Sequence, residues 1–194
     1  MKAVQPIRDM ELLDKCLFIA REHDKNRKKG EVSWELLLIV GFNTSLRISD
    51  IRRFKVKDLR GKDYAEIKAQ KTGKEARILI NPHARRVINR LLAGRPGDEY
   101  ILQSKQRDAA THKVRPITRQ RAYQIINTIA KKAGIQDHIG CHTLRKTFGY
   151  HAWKQSVPPA MLMDIYNHSS YQITKRYLGI DQDDKDQVFE KIRL

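Results

Sequence analysis

The chain has 194 residues, 40% hydrophobic and 31% charged, which fits one folded domain with a sizeable core and excludes a disordered tail. Lys and Arg number 39 against 22 acidic residues, for a net charge of +17, and such a surface attracts polyanions, nucleic acid first among them. Charge alone leaves a ribosomal or generic RNA-binding protein open. It excludes an acidic solvating protein.

The predicted elements follow in chain order. Leu13, Cys16, Leu17 and Ala20 recur at helical spacing, so residues 8–25 read as a helix. A basic loop ends at Gly30, and Ser33 caps a second helix from Trp34 to Thr44, apolar on most faces and so expected to be buried. A short helix runs from Arg47 to Arg53. Extended pieces are expected at 54–59, 64–69 and 77–80, with Lys71-Thr72-Gly73-Lys74 as turn chemistry between the last two. Pro82 opens a helix to Leu92, stopped by Gly94 and Pro96. Residues 103–117 are polar and basic, and a loop is expected. Helices follow over Thr118–Ala133 and His142–Lys154, then one from Pro158-Pro159 and one that Ser169 or Ser170 caps and Gly179 terminates. A last helix is expected over 183–192, in a segment made acidic by Asp181, Asp183, Asp184, Asp186 and Glu190. That acidity makes the tail a poor DNA contact. The expected fold is mainly α (α+β), with one small three-stranded antiparallel sheet.

The two cysteines, Cys16 and Cys141, form no CxxC pair and suit neither a disulfide framework nor a zinc site. The longest apolar run, Leu36 to Val40, is far too short for a bilayer and no signal-peptide core is evident. A cytoplasmic protein without membrane partner, metal or cofactor is therefore expected.

Four places in the chain carry candidate chemistry. Arg47, in Ser45-Leu46-Arg47-Ile48-Ser49-Asp50, opens a helix whose N-terminal amides favour an anion; pairing with Asp50 is the alternative. Lys71 in the turn is either a mobile proton donor or a solvated lysine. His142 and Arg145 stand three apart on one helix, hence on one face, where two cations are unfavourable unless an anion lies between them; His142 near an N-cap with Arg145 in a surface ion pair is the alternative. His168 is followed nine residues later by Tyr177; taken alone, His168 reads as a turn residue and Tyr177 as an ordinary core aromatic.

Taken together, in order and spacing, these residues decide what each alone leaves open. Arg, Lys in a hairpin, HxxR, His, then Tyr just before an acidic tail resembles the catalytic domain of tyrosine recombinases, the phage integrase family. The resemblance covers residues 8–192 and rests most on SLRISDI, HTLRKTFG and NHSSYQITKRYLG. It implies a tyrosine-recombinase-like fold and a site-specific recombinase or integrase that cuts and rejoins double-stranded DNA. In it Arg47 and Arg145 clamp the scissile phosphate and Lys71 protonates the leaving 5′ oxygen. His142 and His168 assist in proton handling and phosphate binding, and Tyr177 attacks to give a 3′-phosphotyrosyl link. That link stores the energy of the cut bond, so resealing needs neither ATP nor metal. The resemblance also implies four protomers on DNA, with a monomer expected when free.

Two places depart from the family pattern. Leu-Gly-His, usual before the second histidine, reads Tyr166-Asn167-His168 here, and Lys146 stands where another His often follows HxxR. A single catalytic domain over 1–194 is expected, without the helical N-terminal domain that usually closes the DNA clamp. The rival expectations are a DNA-binding regulator or recombinase remnant without strand transfer, and a type IB topoisomerase-like enzyme. The complete set of six residues argues against decay.

Overall fold

The computed structural model of the chain describes residues 3–28, 30–70, 73–107, 112, 114–178, 189, 190 and 192. Helix α1 (Met10–Lys25) starts at Asp9, whose carboxylate accepts from the Glu11 and Leu12 amides at 2.7 and 3.3 Å. These are donors that a helix start otherwise leaves unpaired. Near its end Asp24 reaches the next helix, accepting from the Trp34 and Glu35 amides while Ser33 Oγ accepts from Leu36. That helix, α2 (Trp34–Thr44), is buried from Trp34 through Phe42. Its apolar residues cover every face, so it can be stable only at the centre, and α1, α5 (Pro82–Leu91) and α7 (Cys141–Lys154) pack around it. Glu35 is the one acidic side chain on α2, and Arg21 and Arg90 pair with it at 3.2 and 2.8 Å.

The α2–α7 contact is close because of Gly41. A Cβ there would collide with Leu144 of α7. The other side of α7 is strapped by residues 4–7. Thr143 Oγ1 donates to the Gln5 carbonyl (2.9 Å), the Ile7 amide to Thr147 Oγ1 (3.0 Å), and His151 Nε2 meets the Ile7 carbonyl (3.0 Å). Residues 143, 147 and 151 share a face by their i, i+4 spacing.

Strand β1 (Tyr64–Lys68) pairs antiparallel with β2 (Glu75–Leu79), Tyr64 opposite Leu79 and Lys68 opposite Glu75. Strand β3 (Gln103–Arg107) pairs with β4 (Val114–Pro116). Among the described residues the expected single three-stranded sheet is thus corrected to two separate two-stranded ones. Within 54–59, Val56–Leu59 winds into a short helix, α4, because the Asp58 carboxylate accepts from the Lys55 amide at 2.7 Å and caps it. Lys55 keeps a lone bridge to Tyr100. The stretch expected as a loop supplies the second hairpin instead. Its strand Gln103-Ser104-Lys105-Gln106-Arg107 has no apolar alternation to announce it.

The remaining helices are α3 (Ile48–Ile51), α6 (Arg119–Ala133), α8 (Pro159–Tyr166) and α9 (Tyr171–Leu178). Thr118 caps α6, and Gly134, at φ 86°, ends it. One large core joins α1 through α6 and the start of α7. Helices α8 and α9 close on α7 over a small separate cluster, Leu162, Tyr166 and Leu178, with Phe148 and Trp153 at its edge. Of the expected last helix, 183–192, only 189, 190 and 192 fall among the described residues. No described helix is long and apolar enough to cross a membrane.

Candidate active site

Where α2 ends, Ser45 takes a left-handed conformation (φ 58°) and turns the chain so that Arg47 stands at the start of α3. Arg47 does not pair with Asp50, which lies buried beneath and accepts from the Gln70 amide at 3.0 Å. Opposite it, α7 presents His142 and Arg145. Arg145 is only 4% exposed. Its Nη1 donates to the Ser45 carbonyl and its Nη2 to the Tyr166 carbonyl at 2.6 Å, so one guanidinium joins the ends of α2 and α8. Its buried Nε has no protein partner among the described residues.

Helix α9 brings the Tyr177 hydroxyl to 3.4 Å from His142 Nδ1. The Tyr177 ring meets His168 edge-on at 4.7 Å, and His168 Nδ1 lies 3.0 Å from the hydroxyl of Thr174, which is buried. Arg47, His142, His168 and Tyr177 therefore line one cleft of about 470 Å³; Arg145 does not line it, but its Cζ lies 5.9 Å from the Tyr177 ring centre. Lys71 lies outside the described residues. Its hairpin nevertheless reaches the cleft rim, where Lys74 Nζ donates to Asn167 Oδ1 at 2.9 Å.

No carboxylate lines this cleft among the described residues. Burial first, and then the charges of Arg119, Arg145, Arg47 and Lys146, hold His142 below its ordinary value. Burial with Arg145 and Arg47 takes His168 down to about 4. Arg145 is itself lowered to about 10 by burial and by Arg47, and so remains charged at neutral pH. Both imidazoles are neutral at pH 7. Cations gathered in this way repel one another until an anion shares the cleft.

Arg119 also lines the cleft, at the first position of α6. The basic residues of that helix, Arg119, Arg121, Lys131 and Lys132, suit a groove contact or a solvated face about equally. Nothing in the sequence singles out Arg119, beyond an arginine following a Thr cap. The departure at Tyr166-Asn167 has a local reason. Asn167 is left-handed (φ 51°), a conformation natural to glycine and best tolerated otherwise by Asn. Lys146 turns to the N-terminal strap, donating to the Val4 carbonyl at 2.7 Å, with its Nζ 5.6 Å from the Tyr177 ring centre. Among the described residues no three His, Cys, Asp or Glu side chains come together as a metal site would need.

Several known proteins are similar to this chain. The model of the phage integrase family matches residues 19–183. The probable integrase/recombinase YoeC of Bacillus subtilis is 39% identical over 94% of this chain and 93% of its own length. The tyrosine recombinase XerA of Pyrococcus furiosus is 23% identical over 86% of this chain but only 57% of its own. Among solved structures, a XerA recombinase superposes over 100% of this chain and 66% of its own, with a TM-score of 0.72 at 16% identity. Lambda integrase bound to DNA superposes over 100% of this chain and 65% of its own, with a TM-score of 0.65 at 18% identity. The chain therefore spans about half to two thirds of several of these proteins.

Proposed function

Because the chain belongs to the phage integrase family, whose tyrosine recombinases cut and rejoin DNA, we propose that it breaks a DNA strand with Tyr177 and reseals it from a 3′-phosphotyrosyl intermediate. The observation that carries this reading is the Tyr177 hydroxyl, 3.4 Å from a neutral His142 nitrogen, on the wall of a cleft of unopposed cations. A phenol has a pKa of about 10 and needs a nearby base or cationic pocket to attack at neutral pH. His142 Nδ1 accepts the phenol proton as Tyr177 Oη bonds to phosphorus. The P–O5′ bond breaks, and Lys71 gives the leaving oxygen its proton, leaving a free 5′-OH. Arg47 from the cleft lining, and Arg145 through its unpartnered Nε, stabilise the charge that gathers on the non-bridging oxygens. His168 shares that phosphate as a neutral hydrogen-bond donor. Resealing runs the same steps backwards, and the energy of the broken bond is conserved in the tyrosyl ester.

The substrate under this reading is double-stranded DNA, met in the cytoplasm, and 1–194 acts as one catalytic domain. Four protomers assemble on DNA, and the free chain is a monomer. The excess of 17 positive charges supports electrostatic binding, so log K falls linearly with log salt, with a slope of about −0.9 per phosphate neutralised.

Covalent trapping tests the reading. Wild type and Tyr177→Phe are incubated, without metal or ATP, with nicked suicide duplexes drawn from DNA flanking the gene, then run on a denaturing gel. An adduct with wild type alone is the expected result. Binding by both without an adduct from either would leave a DNA-binding protein that has lost strand transfer.

A further inference from the structure

Tyr166 stands just before Asn167, where the resemblance leads one to expect leucine. We infer that Tyr166 is a positioning residue, which fixes Arg145, His168 and Tyr177 in their mutual arrangement. This rests on the recombinase reading of the site and adds to it a residue outside the six of the family pattern.

Tyr166 is fully buried. Its hydroxyl donates to the Arg145 carbonyl at 2.8 Å, while its own carbonyl accepts from Arg145 Nη2 at 2.6 Å. One residue thus grips Arg145 at its main chain and at its guanidinium. The Arg145 Cζ lies 4.5 Å from the Tyr166 ring centre, within the range of a cation–π contact. The same ring stacks on His168 at 5.1 Å and 24°, and touches the Tyr177 ring at 5.2 Å. Three groups of the site therefore lean on one aromatic plane. Leucine offers neither the plane nor the hydroxyl.

An independent observation shows that the fold is adapted to this phenol. Gly149 lies inside α7, where glycine is disfavoured against alanine. A Cβ at that position would overlap the Tyr166 hydroxyl. Helix α7 thus lacks a side chain where the ring needs the room. Tyr166 is not a second nucleophile. Its hydroxyl is committed to a carbonyl, and burial raises its pKa above the ordinary tyrosine value.

The test compares wild type, Tyr166→Phe and Tyr166→Leu in single-turnover cleavage of the trapping duplex, with duplex affinity measured separately. Each is also run on a duplex carrying a neutral methylphosphonate at the scissile position. That substrate asks less of Arg145, because one non-bridging oxygen and its charge are gone. Affinity should stay within about twofold, while phosphodiester cleavage falls by roughly 10- to 100-fold for Leu and less for Phe, the scale of a small misplacement of a catalytic group. The deficit should shrink on the methylphosphonate. Wild-type cleavage rates in both variants would overturn the inference and leave the recombinase reading standing. So would equal losses on both substrates, the signature of a generally weakened fold. No adduct from wild type would remove the recombinase reading, and this inference with it.

Discussion

The two halves of the cleft are built differently. Arg47, His142 and Arg145 stand on α3 and α7, anchored to the core that surrounds α2, where Leu36 through Val40 are buried on all sides. His168 and Tyr177 stand on the α8–α9 unit, which is held by Leu162, Tyr166 and Leu178 and by the partly exposed Phe148 and Trp153. In the proposed reaction the first half binds the phosphate charge and gains from being rigid, because electrostatic stabilisation works best from dipoles that do not reorganise. The second half carries the proposed nucleophile. It has to approach and leave a phosphate, and little buried apolar surface restrains it. Arg145 links the halves, since its guanidinium donates to a carbonyl at the end of α2 and to another at the end of α8.

Removing the Arg145 link should affect both halves most. Arg145→Ala leaves the buried Ser45 and Tyr166 carbonyls unpaired and the phosphate short of a cation. Single-turnover cleavage should fall by roughly 10²- to 10³-fold or more. Stability should fall by about 1–3 kcal/mol per carbonyl left unsatisfied, read from the urea midpoint. A cleavage rate near wild type would separate Arg145 from the chemistry.

A milder intervention tests the two cores against each other. Leu36→Ala should lower global stability by about 2–5 kcal/mol, the usual cost of a cavity in a well-packed interior. Leu178→Ala should shift the urea midpoint less, while hydrogen exchange speeds up selectively in α8 and α9 and cleavage slows. Equal midpoint shifts would erase the distinction between the halves.

The smallest expected effect is on pH. His168 is held at about 4 in the folded chain, chiefly by burial and then by Arg145 and Arg47, whereas an unfolded histidine titrates near 6.5. Between these values the unfolded state binds the extra proton, so stability is full above pH 6.5 and declines as pH falls toward 4. Urea midpoints of His168→Gln should be flatter than wild type over that window. Parallel curves would assign the acid sensitivity elsewhere, to His142 first.

The sequence makes the helices of this fold easy to read, because each has its own punctuation. Ser33, Thr118 and Gly134 mark ends that the structure places at Trp34, Arg119 and Ala133. The sheets are harder. Asp58 turns an apparent strand into a capped helix, and Gln103–Arg107 pairs through its backbone with no apolar alternation to signal it. In the cleft, Arg47, His142, Arg145, His168 and Tyr177 are recognisable as an ordered set, yet none is distinctive alone. Arg119 escapes because its place depends on how α6 meets α7. Tyr166 reads as a substitution of unknown effect until Gly149, seventeen residues earlier, is seen facing it.

The proposed reaction turns on one atom, the Tyr177 hydroxyl, and one bond, its ester to a 3′ phosphate. The measurement that reaches both is mass spectrometry of the trapped complex after protease and nuclease digestion. The expected product is a peptide containing Tyr177 that bears a nucleotide through its 3′ phosphate, with a free 5′-OH on the released strand. A nucleotide on another residue such as Tyr171, or one attached through a 5′ phosphate, would contradict it.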